Sequence, residues 1–162
     1  VFVTSIIVIQ KNLKKRKKTQ HFPKKICFCG IENASSEELG DFKDQLYEII
    51  DQKIVDAQVY QPISRRFVEA GLRESRLRPD ELFLPTNQRL FQEVMEKQGN
   101  PIDYLLFARV TSGTTRSNGS DYQRDYVLTL ELVNIHTGVA QKTSEKIRKG
   151  YHKSVLGKAK HY

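Results

Sequence analysis

The sequence predicts a mixed α/β domain of the α+β kind, with a sheet of about four to five strands, helices packed on it, and a C-terminal antiparallel β-meander. Three observations predict it. Lys24 to Ile31 (KKICFCGI) is apolar on both faces, as a central strand covered on both sides must be. Apolar residues at helical spacing then recur as far as Met95. From Ile102 onward the period changes to two and the chain reads as strands.

The elements follow in order. In residues 1–18, Phe2, Ile6, Ile9 and Leu13 fall at helical spacing, whereas the run Ile6-Ile7-Val8-Ile9 is β-branched and favours a strand. Helix is the preferred reading. Lys14 to Gln20 reads as its frayed end and a linker, closed by Pro23. After the strand at Lys24–Ile31, Asn33-Ala34-Ser35-Ser36 punctuates the chain. Ser35 with Glu38 three residues on reads as a capping box for a helix reaching about Gln52, with Leu39, Phe42, Leu46, Ile49 and Ile50 as its buried stripe.

Ile54 to Tyr60 reads as a short second strand. Pro62 opens a helix carrying Ile63, Phe67, Val68 and Leu72, expected to end near Gly71. Arg73 to Arg78 reads as a charged loop. Pro79 starts one further turn, stopped by Pro85, and Thr86 caps a helix with Leu90, Phe91, Val94 and Met95 inward. Gly99-Asn100-Pro101 ends that helix.

Ile102 to Thr111 is a strand, Ser112 to Asp121 (SGTTRSNGSD) a polar loop, and Tyr122 to Ile135 a long alternating strand with Tyr126, Leu128, Leu130 and Leu132 on one face. Thr137-Gly138 turns the chain, and Val139 to Lys149 returns as a charged strand suited to a sheet edge. The expected organisation is an N-terminal helix or arm with a basic linker (1–23), an α/β body (24–150) and a basic tail (151–162).

The net charge is +8, and the eight basic residues between Val1 and Lys25 account for all of it. Lys14, Lys15, Arg16, Lys17 and Lys18 form the densest run, with no acid in that stretch. The body is therefore neutral, although Lys146, Arg148, Lys149, Lys153, Lys158 and Lys160 make its C-terminal end locally basic. A basic arm can neutralise phosphates or an anionic surface polymer. With no interleaved aromatics and a neutral body, a solvated charge run is the favoured reading over nucleic-acid binding.

Reactive constellations are missing from the sequence pattern. His21, His136, His152 and His161 have no metal-ligand spacing to one another or to cysteine. Cys27 and Cys29 alternate on an apolar strand, where they are expected as buried small hydrophobes. No nucleophile elbow, Walker loop or dinucleotide fingerprint is present. Ser112-Gly113-Thr114-Thr115 leads into another strand, so no helix N-terminus is available there to hold phosphate. The expectation is a protein that is not an enzyme, with no catalytic residue, metal or cofactor.

Phe28-Cys29-Gly30-Ile31-Glu32-Asn33, a strand ending in Gly-Ile-Glu-Asn before a helix, resembles the opening strand of the LpoB family of outer-membrane lipoproteins, activators of a penicillin-binding protein. Ile102-Asp103-Tyr104-Leu105-Leu106-Phe107 is similar to that family's next long strand. Leu128 to Gly138 is similar to its hairpin, and Lys146-Ile147-Arg148-Lys149 to its closing strand. The resemblance spans roughly residues 24–150 and extends at fold level to the curli-secretion lipoprotein CsgG and the N-terminal domain of TolB. It departs from the family at Pro62–Pro85, at Gly113–Asp121 and in the basic arm.

The resemblance implies a cell-envelope binding module at the periplasm or outer membrane. It implies contact with the membrane only through a lipid anchor preceding Val1, and another envelope protein, a penicillin-binding protein, as partner. Thr114, Thr115, Arg116 and Tyr122, with Arg124 alongside, combine Arg, Tyr and polar residues and are the expected partner contacts. The alternative is a basic-arm binder of nucleic acid or anionic surface polymers.

Overall fold

In a computed structural model, residues 23–117 and 121–153 are described, with side chains for 23–114 and 125–146. The expected N-terminal helix, the basic arm at Lys14–Lys18 and the tail beyond Lys153 lie outside the described residues. Five strands form one sheet in the order β2-β1-β3-β4-β5. They are β1 (Lys24–Ala34), β2 (Tyr60–Pro62), β3 (Tyr104–Ser117), β4 (Asp121–Asn134) and β5 (Ala140–Lys153). The helices are α1 (Asp41–Asp56), α2 (Arg65–Ser75) and α3 (Pro85–Lys97), with a 3₁₀ turn at Pro79–Phe83. β2, β1 and β3 run parallel, and β4 and β5 complete an antiparallel meander. The mixed sheet and its packed helices are as the sequence predicts.

β1 is covered on both faces. Ile26, Phe28 and Ile31 join α1's Leu46, Tyr47, Ile50 and Ile54 with the inward residues of β3 and β4, including Tyr126, Leu128, Leu130 and Leu132. Cys27 and Cys29 join Val68 and Leu72 of α2, Phe91 and Met95 of α3, and Leu105 and Phe107 of β3. Both thiols are buried and unbridged, so they pack as small hydrophobes. The pairing of β1 with β3 shifts between Phe28 and Gly30, which leaves Cys29 as an extra residue. Gly30, at φ +126°, holds a backbone conformation that a side chain disfavours.

Several local expectations are corrected. α1 begins at Asp41, and Ser35 caps nothing. Its hydroxyl lies 2.6 Å from Asn33 Oδ1 and 2.9 Å from Glu37 O, both within reach of its single hydrogen, closing a local turn that competes with helix formation. Residues Ile54 to Asp56 are helical, not a strand, because Ile54 continues the buried stripe four residues after Ile50. The second strand is Tyr60–Pro62 alone. Ile49 lies outside the stripe, exposed.

α2 runs past Gly71 to Ser75, so Arg73 and Glu74 are helical rather than looped. Gly71 is retained inside the helix because α3 presses on it (a Cβ there would meet Met95 Sδ at 2.5 Å). Pro85 stops the 3₁₀ turn, as expected, but also opens α3, which makes Leu84 rather than Thr86 the capping position.

The polar loop expected at Ser112–Asp121 is largely strand. β3 runs to Ser117, β4 starts at Asp121, and they pair residue for residue. Thr and Arg are compatible with such a ladder, since the cross-strand hydrogen bonds satisfy the backbone. β5 likewise continues to Lys153 instead of ending near Lys149.

Candidate functional site

β1 connects through α1 to β2 on one side of it, and the chain then returns through α2 and α3 to β3 on the other. The two crossovers lie on opposite faces, so beyond the carboxyl end of β2 a crevice opens along the second half of β1, the kind of place where open α/β sheets hold their ligands. A cavity of about 560 Å³ occupies it, lined by Gly30 to Asn33 of β1, the first turns of α1 and α2, the 3₁₀ turn, and Phe107 of β3. The β-bulge at Cys29–Gly30 forms part of its floor. No atom lies within 4 Å of where a Cβ of Gly30 would stand, so bare backbone faces the open space.

The wall between α1 and α2 is fixed by Arg65. Its Nε donates to Glu69 Oε1 at 2.9 Å, its NH2 reaches Asp44 Oδ1 at 3.4 Å, and its Cζ lies 4.5 Å from the centroid of the Tyr47 ring. Partial burial works against the Arg65 charge, but the hydrogen bonds to Glu69 and Asp44 outweigh it and hold the guanidinium above its ordinary range. The Tyr47 ring stacks on Phe28 at 4.4 Å, and its hydroxyl donates to Phe28 O at 3.4 Å. Burial, and then the charge of Asp51, push that hydroxyl's ionisation upward, so Tyr47 stays neutral.

The opposite wall is aromatic. Phe83, at the end of the 3₁₀ turn, stacks on Phe107 at 4.4 Å and is 42% exposed. It also borders a second hollow of about 640 Å³ over β3, β4 and β5. There Arg109 Nε meets Glu32 Oε2 at 3.4 Å, Lys142 Nζ meets Glu131 Oε2 at 2.9 Å, and the Thr129 and Ser144 hydroxyls lie 2.9 Å apart. A third hollow of about 420 Å³, along Pro85, Val133 and Ile135, reaches the same ring. One half-exposed aromatic side chain thus borders three adjoining hollows whose walls carry charges of both signs, several of them paired.

Cys29 donates to Cys27 O at 3.6 Å, and burial raises its thiol well above the ordinary range, so it is not a thiolate nucleophile. His136, exposed in the β4–β5 turn, lies 3.3 Å from Asp103, which also accepts from the Lys25 backbone N–H at 2.9 Å and sits 3.8 Å from Lys24. That cluster ties the start of β1 to the hairpin. Among the described residues, no group of three or more His, Cys, Asp or Glu could hold a metal ion, and no helix is long and apolar enough to cross a membrane.

The contacts expected from sequence lie apart from this depression. Thr114 stands opposite Arg124, Thr115 opposite Gln123, and Arg116 opposite Tyr122, all on the part of the β3–β4 ladder that extends past the last β1 pairing at Ala34–Thr111. The depression itself was not foreseen. Phe83 reads in sequence as part of a short helical turn, and Gly30 as part of a strand motif. Only the placing of a glycine inside an apolar strand hinted at a bulge.

No family model and no curated protein sequence matches the chain. Solved structures do. The C-terminal domain of LpoB from Salmonella enterica superposes with a TM-score of 0.61 at 12% identity, covering 90% of this chain and 96% of that one. The chain has an LpoB-like fold. A lipoprotein of Neisseria meningitidis superposes with a TM-score of 0.56 at 18% identity, covering 85% of this chain and 92% of that one. At such identities the likeness to LpoB is one of fold.

Proposed function

We propose that this chain is a non-catalytic binding module of the bacterial cell envelope, an LpoB-like lipoprotein domain that docks another envelope protein. The observation that carries the reading is Phe83. It stands half-exposed over Phe107 between two hollows, where an apolar side chain of a partner can pack against it. The lining suits a partner segment with one apolar residue flanked by charges of both signs, since Glu32, Asp80, Lys43 and Arg109 all border the two hollows. The LpoB-like fold and the lipoprotein among the similar structures support an envelope location. The sequence resemblance supports a penicillin-binding protein as partner, and Thr114, Thr115, Arg116, Tyr122 and Arg124 remain proposed as outlying contacts.

The test uses the full chain and a purified penicillin-binding protein ectodomain from the same cell, with affinity measured by calorimetry. Binding by the wild type, weakened at least tenfold by Phe83→Asp in a protein whose circular dichroism is unchanged, is the expected result. No binding by the wild type would remove the penicillin-binding protein as partner. Equal binding by both proteins would remove the groove as the contact.

A further inference from the structure

We infer that the partner enters the Phe83 groove as an added β-strand: an extended segment of another protein pairs with the open edge of β1 at Ile31 and Asn33, with an apolar residue against Phe83 and an acidic one toward Lys43. This rests on the reading of the groove as a protein contact, and adds the conformation and side-chain pattern of what enters it.

β1 loses its outer neighbour part-way along. Its pairing with β2 stops at Ile26–Pro62, where Ile63 N–H still donates to Ile26 O at 2.9 Å, and Ser64 then leads the chain into α2. Its pairing with β3 continues to Ala34–Thr111. The outer side of β1 from Phe28 to Asn33, about 15 Å of strand, therefore has no strand beside it.

Alternation shows which groups face this gap. Residues on one side-chain face of a strand share a main-chain direction. Ile26 points its main chain toward β2, whereas the main chain of Lys25 bonds Asp103 on the β3 side. Phe28 and Ile31 lie on the face of Ile26, against α1, because the extra residue at Cys29 resets the alternation. Phe28 O accepts from the Tyr47 hydroxyl. The main-chain groups of Ile31 and, two residues on, Asn33 have no hydrogen bond on that side among the described residues. Such an edge is a template for strand pairing.

The cavity of about 560 Å³ lies along this edge, so a segment that pairs there also enters the groove. Donors and acceptors that recur about every 7 Å match an extended main chain, not a lipid or a nucleic acid. Gly30 is in register with Phe107, on whose ring Phe83 stacks. Having no Cβ, Gly30 leaves room beside Phe83 for an apolar side chain of the added strand. The next residue of that strand points to the α1 side, where Lys43 lines the cavity. The lining carboxylates of Glu32, Asp44, Glu69 and Asp80 all have arginine partners, whereas Lys43 makes no ion pair among the described residues. An acid is the residue that complements it.

The test uses the ¹⁵N-labelled full chain and the peptide acetyl-Ser-Val-Glu-Leu-Glu-Val-Ser-amide, followed by amide shifts and hydrogen exchange. A twin peptide, N-methylated at its Glu, Leu and Glu amides, keeps every side chain and charge, so the basic arm attracts both alike. In the free chain the Ile31 and Asn33 amides should exchange at least tenfold faster than those of Gly30 and Glu32, which point to β3, and should slow when the peptide is added. The twin should bind at least tenfold more weakly. Lys43→Glu should weaken the peptide at least fivefold, and Arg66→Glu, an equal charge change on α2, less than twofold.

The inference is overturned if the twin binds like the peptide, or if 2 mM peptide moves no amide of β1. It is also overturned if Ile31 and Asn33 are already protected in the free chain. Protection that rises with protein concentration would make a second copy the occupant, and protection lost on removing residues 1–22 would make it the chain's own N-terminal segment. Phe83→Asp separates the two readings. A loss at Phe83→Asp without an effect of N-methylation keeps the groove and removes the strand pairing, whereas the reverse keeps the pairing and removes Phe83 as the contact.

Discussion

Phe83 and Phe107 stack at 4.4 Å with their planes 27° apart, yet Phe107 is 5% exposed and Phe83 is 42% exposed. Phe107 is fixed by the sheet and by the core beneath α2 and α3, whereas Phe83 is held by a 3₁₀ turn and gives one flank to solvent. The pair anchors the proposed recognition surface to the core without burying it.

Truncation should therefore cost very different amounts at the two positions. Phe107→Ala empties a core site and should destabilise by about 3–5 kcal/mol. Phe83→Ala loses the ring contact and only part of a buried area, about 1–2 kcal/mol. Urea denaturation of both variants checks this, and equal losses would mean that Phe83 is a core residue.

At Gly71 the limit is space. A Cβ would meet Met95 Sδ at 2.5 Å and Phe91 Cε2 at 3.0 Å, with both side chains fully buried. Alanine gains about 1 kcal/mol of helix propensity over glycine. Overpacking opposes it with about 1–3 kcal/mol. Gly71→Ala should therefore lower stability by about 1 kcal/mol, and Gly71→Val by more. A thermal melt showing that Gly71→Ala stabilises the protein would place α2 and α3 further apart than the structure has them.

Gly30 tests the backbone alone. Nothing lies within 4 Å of its missing Cβ, so Gly30→Ala meets no clash, yet φ is +126°. The expected loss is about 1–3 kcal/mol, all of it conformational. Chemical denaturation would show it, and a neutral substitution would mean that the bulge relaxes without loss.

Long periodic elements were legible in the sequence, while the short-range exceptions were not. The stripe of Tyr126, Leu128, Leu130 and Leu132 reads directly as a buried strand face, and the Cys27–Cys29 alternation reads as a covered strand. Ile54 misled because its β-branched character favours a strand, while burial beside Ile50 keeps it helical. Gly71 misled as a helix terminator because only the approach of Met95, from a different helix, explains it. The groove stayed hidden for the same reason: Arg65, Asp44, Phe83 and Phe107 come from four separate elements, and no spacing along the chain announces them.

Alkaline pH should unfold the protein earlier than it would a chain with exposed tyrosines. Burial raises the Cys29 thiol, and burial followed by the charge of Asp51 raises Tyr47. Burial followed by the neighbouring Tyr104 raises Tyr60. In the unfolded chain thiols ionise near pH 8.5 and tyrosines near pH 10, about where free side chains do. The native state then keeps protons that the unfolded state has released, so stability falls as pH rises through these unfolded values. The expected decline lies between about pH 9 and 11. Tyr60 supplies the control, because its hydroxyl is buried with no hydrogen-bond partner among the described residues and its ring meets Tyr104 edge-on at 5.4 Å. Tyr60→Phe keeps the ring contact and removes an unpaired polar group, so it should match or exceed the wild type at pH 7 by up to about 1 kcal/mol. It should also lose less stability between pH 9 and 11. Urea midpoints measured across that range decide it, because a variant that declines as steeply as the wild type would show that the Tyr60 hydroxyl ionises in the folded protein as freely as in the unfolded one.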